Sequence, residues 1–510
     1  MNRTGLPKFT KHRLPDVLPN TPDEKEKSRP PMNTASLRSF RLVCKKKDQP
    51  AAEHLLSAQG FRFEPEPFSP FVRRLLAEPF PLGSSLAARF GLVYIQDRSS
   101  MLPPLALSPN RGAAVLDMCA SPGSKTGFLA QLVGRHGFVL ANEPSRARLA
   151  TLRNNLASMS LVQCATTSFS GENLPLPPAP DGPSPAGGWP CIQLDPPCSG
   201  WGTVDKNPQV MDIWQGDKVL PLIALQRKLL ARAVALLQPG GQVVYSTCTT
   251  NAAENEEQVR YAIDELGLLP VPLAPFPGFS FVESALPSVQ GVLRVATGDD
   301  GQGFFIAAFK KSETAHSACL PLHNTGEPLA PDPLLHPRAQ GNGANDNTVK
   351  PATGKTGKRS APGQERASIT FLPRTAALSF WVDDHALPAG ELAVVNGVAH
   401  FLPAVWRQYI PLGTAWKGFA LGKAQAGGSV RVNPALRGLM PSLDRAHKAG
   451  LPCHSTESVD ELTRLLSGQS LDVAGMPLGM SGGEIGLYYR DMPLCRLSIK
   501  GKRALMPALF

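Results

Sequence analysis

Residues 113–126 read Ala-Ala-Val-Leu-Asp-Met-Cys-Ala-Ser-Pro-Gly-Ser-Lys-Thr. The first six form a short apolar run that ends in a turn. Small residues follow, and from Lys125 to Gly134 the apolar side chains fall at helical spacing. Strand, turn and helix in that order open an α/β unit, and the pattern continues outward. Gly-Phe-Val-Leu-Ala-Asn-Glu (137–143) reads as a second strand. Ser145 then opens an amphipathic helix over 145–159, its hydroxyl suited to a free N–H of the first turn. Residues 191–195 and 241–248 read as further strands. A helix over about 218–238 lies before the last of them and stops at Pro239-Gly240-Gly241. Alternating strands and helices imply a parallel, doubly wound α/β sheet over residues 101–310.

The flanks differ in character. The 510 residues exceed a single domain of ordinary size. Residues 1–35 are polar, charged and Pro-rich, and read as a basic flexible tail. Residues 36–100 mix short apolar runs with basic residues and read as a folded N-terminal module. Residues 311–370 are rich in Pro, Gly, Asn, Ser and Thr without periodicity, the composition of a disordered linker. Over 371–510, short strands and turns suggest a small β-rich domain. Hydrophobic residues make up 42% of the chain, enough for cores, yet no apolar run reaches the roughly 18 residues of a membrane helix. The opening MNRTGLPKFTKHR lacks the apolar stretch of a signal peptide, so a soluble, cytoplasmic protein is expected, with no membrane partner.

The nine cysteines are odd in number and none forms a CxxC pair, which argues against a disulfide framework or a structural zinc; no metal is expected. Nothing demands more than a monomer. The net charge of +11 is uneven, with twelve Lys or Arg against five Asp or Glu in residues 1–50, including Lys45-Lys46-Lys47. That suits a polyanion partner, and equally a solvated tail.

Four motifs end strands, where an open α/β sheet binds its ligands. The first is Asp117–Thr126, whose small residues let the backbone approach a cofactor and whose helix N-terminus favours a carboxylate. It is neither a Walker loop nor a GxGxxG turn. The second is Glu143, placed to meet the two hydroxyls of a ribose. The third is Asp195-Pro196-Pro197-Cys198-Ser199-Gly200. An aromatic residue after Asp-Pro-Pro would suit methylation of an exocyclic amine; Cys198 in that place favours attack on a ring carbon. The fourth is Tyr245-Ser246-Thr247-Cys248-Thr249-Thr250-Asn251, followed by Glu254-Asn255-Glu256. Asn251 would cap a helix there, and a helix N-terminus lowers a thiol pKa.

Together these motifs resemble the Nop/Sun family of RNA cytosine-5 methyltransferases over about 36–310. Within that family the resemblance is to the bacterial members acting on small-subunit ribosomal RNA. Residues 91–107 and Arg38–Lys46 are also family-like, and 486–507 is similar to the closing strands of a PUA-like RNA-binding domain. The resemblance implies a Rossmann-like core dependent on S-adenosylmethionine, an RNA-binding N-terminal module and a PUA-like C-terminal domain. It implies Cys248 as nucleophile, Cys198 as the thiol assisting product release, Asp195 on the cytosine N3 edge and Lys125 beside the reacting groups. Cys119, Ala120, Ser121, Pro122, Gly123, Ser124 and Lys125, with Glu143, Arg148, Ser170 and Asp195, would hold the cofactor. One position departs from the family pattern: Phe169-Ser170-Gly171 carries a hydroxyl where an Asp is usual.

Carbon 5 of cytosine is a poor nucleophile until a thiolate adds at carbon 6 and makes it enamine-like, so a covalent route splits one hard step into easier ones. The chemistry alone does not choose between Cys198 and Cys248, since DNA cytosine-5 enzymes use the cysteine of a Pro-Cys motif; the RNA-type flanks of Cys248 make the choice. The rivals are a DNA cytosine-5 enzyme, which would leave the Cys248 motif unexplained, a transfer-RNA methyltransferase, an amine methyltransferase, and an inactive RNA-binding assembly factor.

Overall fold

The structure is a computed structural model. It describes residues 38–178, 187–203, 210, 218–284, 286–296, 302–313, 369–373, 378, 381–383, 385–411, 416–476 and 483–510. The expected tail over 1–35 and most of the expected linker lie outside the described residues.

The N-terminal part is an antiparallel sheet of β1 (Ser39–Leu42), β2 (Arg62–Pro65), β3 (Val72–Ala77) and β4 (Val93–Ile95), in the order β2-β3-β1-β4, with helix α1 (Gln49–Ala58) following β1. Its buried Phe40, Leu42, Leu55 and Leu56 share one hydrophobic cluster with Leu462, Ile485, Leu487 and Leu494 from the far end of the chain. The first described sheet and the last one therefore share a core.

The central sheet holds β5 (Ala114–Asp117), β6 (Phe138–Asn142), β7 (Cys164–Thr167), β8 (Trp189–Leu194) and β9 (Leu237–Thr247), all parallel, in the order β7-β6-β5-β8-β9. The strand β10 (Phe304–Lys310) adds antiparallel to β9, so that Phe305 faces Thr247 across the ladder. Side chains alternate between the faces, as strand geometry requires. Leu116, Phe138, Leu140, Ile192, Leu194, Val243 and Tyr245 meet Leu229, Leu230, Ala233 and Leu236 of one helix, α4 (Val219–Leu236), and Val259 and Ala262 of α5 (Glu256–Asp264). Val115, Val139, Ala141 and Val244 face the other way, onto α2 (Ser124–Val133) and α3 (Arg146–Ser158). This is a doubly wound, Rossmann-like sheet, and its strand order reverses between β5 and β8. The crevice beyond the carboxyl ends of those two strands is where such folds bind their ligands.

The helix before β9 is shorter than its sequence suggests. It ends at Leu236, and Leu237 already pairs with Trp189 in the sheet. Lys311 donates its ammonium to the carbonyls of Val234 and Leu237, at 2.8 and 2.9 Å, and so partners carbonyls at the helix end. Gly240, at φ +71°, then turns the chain within the start of β9.

The C-terminal part carries two five-stranded sheets, one between Thr370 and Val432 and one between Cys453 and Leu505. A two-residue strand, Trp416–Lys417, leaves this region to pair antiparallel with β7. Trp406, Ile410 and Trp416 join the core of the central sheet, and the Tyr409 ring lies 4.5 Å from that of Trp189. No described helix is long and apolar enough to cross a membrane.

Candidate active site

The loop after β5 carries seven of the residues singled out in the sequence. Ala120 N–H donates to the Asn142 carbonyl at the end of β6, and Gly123 N–H to the Ala120 carbonyl, so the loop folds back over the sheet edge. Gly123 sits at φ +105°, and a Cβ there would come within 2.9 Å of Leu152 Cδ1, so only glycine allows the close approach of loop and α3. The Ser121–Pro122 peptide is cis. Helix α2 starts at Ser124, which directs its free N–H groups at the crevice.

Glu143 follows β6 and is buried; its carboxylate accepts from Ser145 N–H at 2.9 Å and pairs with Arg148 at 3.4 Å. Arg148 also donates to the Ser121 carbonyl, while Ser121 Oγ donates to the Arg148 carbonyl. Arg148 thus bridges the first loop and the Glu143 carboxylate. Ser170 accepts a hydrogen bond from Asn173 Nδ2 and opens the short turn Gly171–Asn173.

Asp195 follows β8. Lys125 Nζ donates to its Oδ2 and Ser246 Oγ to its Oδ1, each at 2.8 Å. Burial pulls the Lys125 ammonium down, but the Asp195 carboxylate more than offsets it, and the net displacement is upward. The Lys125 ammonium also lies 5.2 Å from the centre of the Phe304 ring.

The two cysteines ending β8 and β9 lie together, with Sγ of Cys198 3.3 Å from Sγ of Cys248. Their environments differ. Cys248 is lowered, first by the hydrogen bond from Cys198 and also by Lys125, against the opposing effects of burial and Asp195. Cys198 is raised well above an ordinary thiol, first by that same contact, then by burial, then by the charges of Cys248, Asp195 and Glu254. The Cys198 contact, helped by Lys125, favours a thiolate on Cys248, while burial and the carboxylates favour a thiol on Cys198. Cys119 is raised by burial and by the carboxylates around it.

The helix expected directly after Cys248 starts later than the sequence suggests. Asn251 does cap, accepting from Ala253 N–H, but what it caps is the three-residue turn Ala252–Glu254, and the α-helix begins only at Glu256. A single short turn carries little dipole at the thiol; the neighbouring thiol and lysine do the lowering.

Several residues here were given no task from sequence, Asp117 among them although it was quoted at its strand end. Asn142 Nδ2 donates to the carbonyls of Met118 and Phe169, and its Oδ1 accepts from Phe169 N–H, which ties two ligand-facing loops together. Asp117 accepts from Thr126 Oγ1 at 2.6 Å through Oδ2, while its buried Oδ1 has no hydrogen-bond partner. Its carboxyl is pushed up to about 6, chiefly by burial. Ser246 and Glu254 lie inside quoted motifs, yet only the folded chain brings them against Asp195 and Ser199. Among the described residues no cluster of His, Cys, Asp and Glu could hold a metal.

This donor set fits a sulfonium-bearing nucleoside amino acid. The unpartnered Asp117 oxygen and the Glu143 carboxylate offer acceptors for ammonium and hydroxyl groups, and the α2 N-terminus offers donors for a carboxylate.

Comparison with known proteins gives concordant results. A family model described as "16S rRNA methyltransferase RsmB/F" matches residues 104–310. The ribosomal RNA small subunit methyltransferase F of Cronobacter sakazakii is 35% identical over 304 residues, 57% of this chain and 60% of that protein. Its namesake from Salmonella heidelberg is 36% identical over 285 residues, 53% of this chain and 56% of that protein. The chain thus spans less than two thirds of the length of the curated relatives it matches. A methyltransferase homologue from Pyrococcus horikoshii, solved by crystallography, aligns with 30% identity over 54% of this chain and 86% of its own, at a TM-score of 0.44.

Proposed function

We propose, from the membership of residues 104–310 in the 16S rRNA methyltransferase RsmB/F family, that this chain methylates carbon 5 of a cytosine in RNA. Small-subunit ribosomal RNA is the proposed substrate and S-adenosylmethionine the methyl donor. The observation that carries the reading is the thiol pair: Cys198 and Cys248 at 3.3 Å, at adjacent strand ends, beside the Lys125–Asp195 pair.

The division of labour follows from the environments. Cys248, the thiol with the cation near it, adds as thiolate to carbon 6 of the cytosine. The displaced electron pair moves towards N3, where Asp195 holds the ring edge and the proton shared with Lys125 neutralises the new charge. When bound, the cofactor supplies an electrophilic methyl group to carbon 5. Loss of the C5 proton to solvent, with return of the N3 proton to the Asp195–Lys125 pair, then lets the C5–C6 double bond re-form and the C6–S bond break. Cys198 donates its S–H to the departing Cys248 sulfur, which makes it a better leaving group. Glu143, Arg148, Ser170 and loop 119–125 hold the cofactor. Ser170 presents a hydroxyl to the adenine in place of a carboxylate.

The target base must leave its stack, at a cost of roughly a few kcal/mol, so an unpaired cytosine is the favoured substrate. The N-terminal module (36–100) and the C-terminal region (371–510, PUA-like) are proposed to grip RNA around it, with the chain acting as a monomer in the cytoplasm. The test is bisulfite sequencing of total RNA from cells with and without the gene. One cytosine should lose its mark on deletion and regain it with wild-type protein but not with Cys248→Ala. No change at any cytosine refutes the reading and favours a non-catalytic RNA-binding role.

A further inference from the structure

Glu254 is fully buried in the turn behind Cys248. Its Oε1 accepts from Ser199 N–H at 2.9 Å and Gln226 Nε2 at 3.0 Å. Its Oε2 accepts from Ser199 Oγ at 2.5 Å and Asn251 Nδ2 at 3.3 Å. Four donors converge on two oxygens, and among the described residues no basic side chain pairs with it. A buried carboxylate without a cation is tolerated only when hydrogen bonds satisfy it so fully.

The partners lie on both sides of the thiol pair. Gln226 Nε2 also donates to the Pro197 carbonyl at 2.9 Å, so both backbone neighbours of Cys198 hang on Gln226 and Glu254. Ser199 Oγ contacts Thr249 Oγ1 at 2.8 Å, and Thr249 Oγ1 accepts from Asn251 N–H at 3.2 Å. Tyr245, at the core of β9, donates its hydroxyl to the Glu254 carbonyl at 2.7 Å. The loop after β8 and the turn after β9 are therefore joined through one side chain.

We propose that Glu254 is a positioning residue whose carboxylate clamps the Cys198 loop to the Cys248 turn and so sets the thiol–thiol contact that separates nucleophile from helper. The roles of the two thiols rest on the function proposed above; the clamp does not. An amide cannot replace it, because Glu254→Gln turns an NH2 group towards donors. Its negative charge also opposes ionisation of Cys198, which keeps that sulfur a donor. The charged groups facing the pair are Lys125, Asp195 and Glu254.

The test compares wild type with Glu254→Gln, with Ser199→Ala, which removes the 2.5 Å hydrogen bond and leaves Ser199 N–H in place, and with Glu254→Asp as the conservative variant. Iodoacetamide labelling of the full chain near neutral pH, read by peptide mass spectrometry, reports Cys248 against Cys198 without RNA or cofactor. The preference for Cys248 should fall about tenfold in Glu254→Gln, one pKa unit of lost separation, less in Ser199→Ala, and recover in part in Glu254→Asp. On RNA, the clamp predicts a fall in kcat at unchanged KM and a persistent denaturant-resistant enzyme–RNA adduct, since release depends on Cys198. Should Glu254→Gln not fold, Ser199→Ala decides. Wild-type preference in a folded Glu254→Gln, or in Ser199→Ala alone, overturns the clamp. A wild type that labels selectively but methylates no RNA overturns the proposed function and supports the clamp.

Discussion

Replacing Lys125 by Met tests the electrostatics on which the choice of nucleophile rests. Methionine keeps an unbranched apolar stem beside the Phe304 ring and deletes the ammonium. A unit charge near a partly buried thiolate contributes on the order of a few kcal/mol at an effective dielectric of about 20. Two facts reduce that. The ammonium is shared with Asp195 at 2.8 Å, and the Asp195 side chain is 27% exposed, so solvent screens the pair. A net loss of about 1.4 kcal/mol remains, one pKa unit and a tenfold smaller thiolate fraction. The sign is set by what is left behind: the Asp195 charge, no longer opposed by a cation, raises the Cys248 thiol. The assay is the rate of Cys248 alkylation across roughly pH 6 to 10. The half-maximal pH should move up by about one unit, with methylation at neutral pH falling at least as far. A midpoint that stays or moves down in a folded variant refutes the reasoning and leaves the Cys198 contact alone to lower the Cys248 thiol.

Cys198→Ala should still add to cytosine but release slowly, leaving an enzyme–RNA adduct visible on denaturing gels, whereas Cys248→Ala should form none. Asp117 holds its proton more tightly in the folded state, at about 6 against an ordinary 3.8, so ionising it penalises the fold. That penalty is absent below about pH 4, grows up to about pH 6 and then stays constant; Asp117→Asn should therefore gain about 2–3 kcal/mol at pH 8 and nothing at pH 3.5, by urea unfolding. Trp406→Ala, at a fully buried position in the core shared with the central sheet, should cost about 3–5 kcal/mol in the same measurement, and a near-neutral result would show that the C-terminal region folds apart.

The central sheet was legible because its strands are buried on both faces and read as unbroken apolar runs, each closed by a polar residue. Asp117, Glu143 and Asp195 stood out for that reason, and their gathering at one crevice follows from parallel strands alone. The two cysteines were legible because each stands just past the end of a strand, Cys198 after Asp195-Pro196-Pro197 and Cys248 directly after Thr247. Helix length was less so. Leu237 already pairs with Trp189 and the Lys311 ammonium holds the carbonyls of Val234 and Leu237, and no window around Pro239 contains either partner.

The amino-acid sequence by itself determined which segments are strands, where they stop, and that two thiols and three carboxylates lie at those stops. Periodicity and turn chemistry are local, so a linear reading captures them. Only the tertiary structure decided the 3.3 Å between Cys198 and Cys248, the sharing of Asp195 between Lys125 and Ser246, and the convergence of four donors on Glu254. It also decided that the first and last parts of the chain share a core. A thiol pKa and a satisfied buried charge depend on groups brought within a few ångströms by long-range pairing. That spacing is set by strand order, and strand order is not written in any one stretch of sequence.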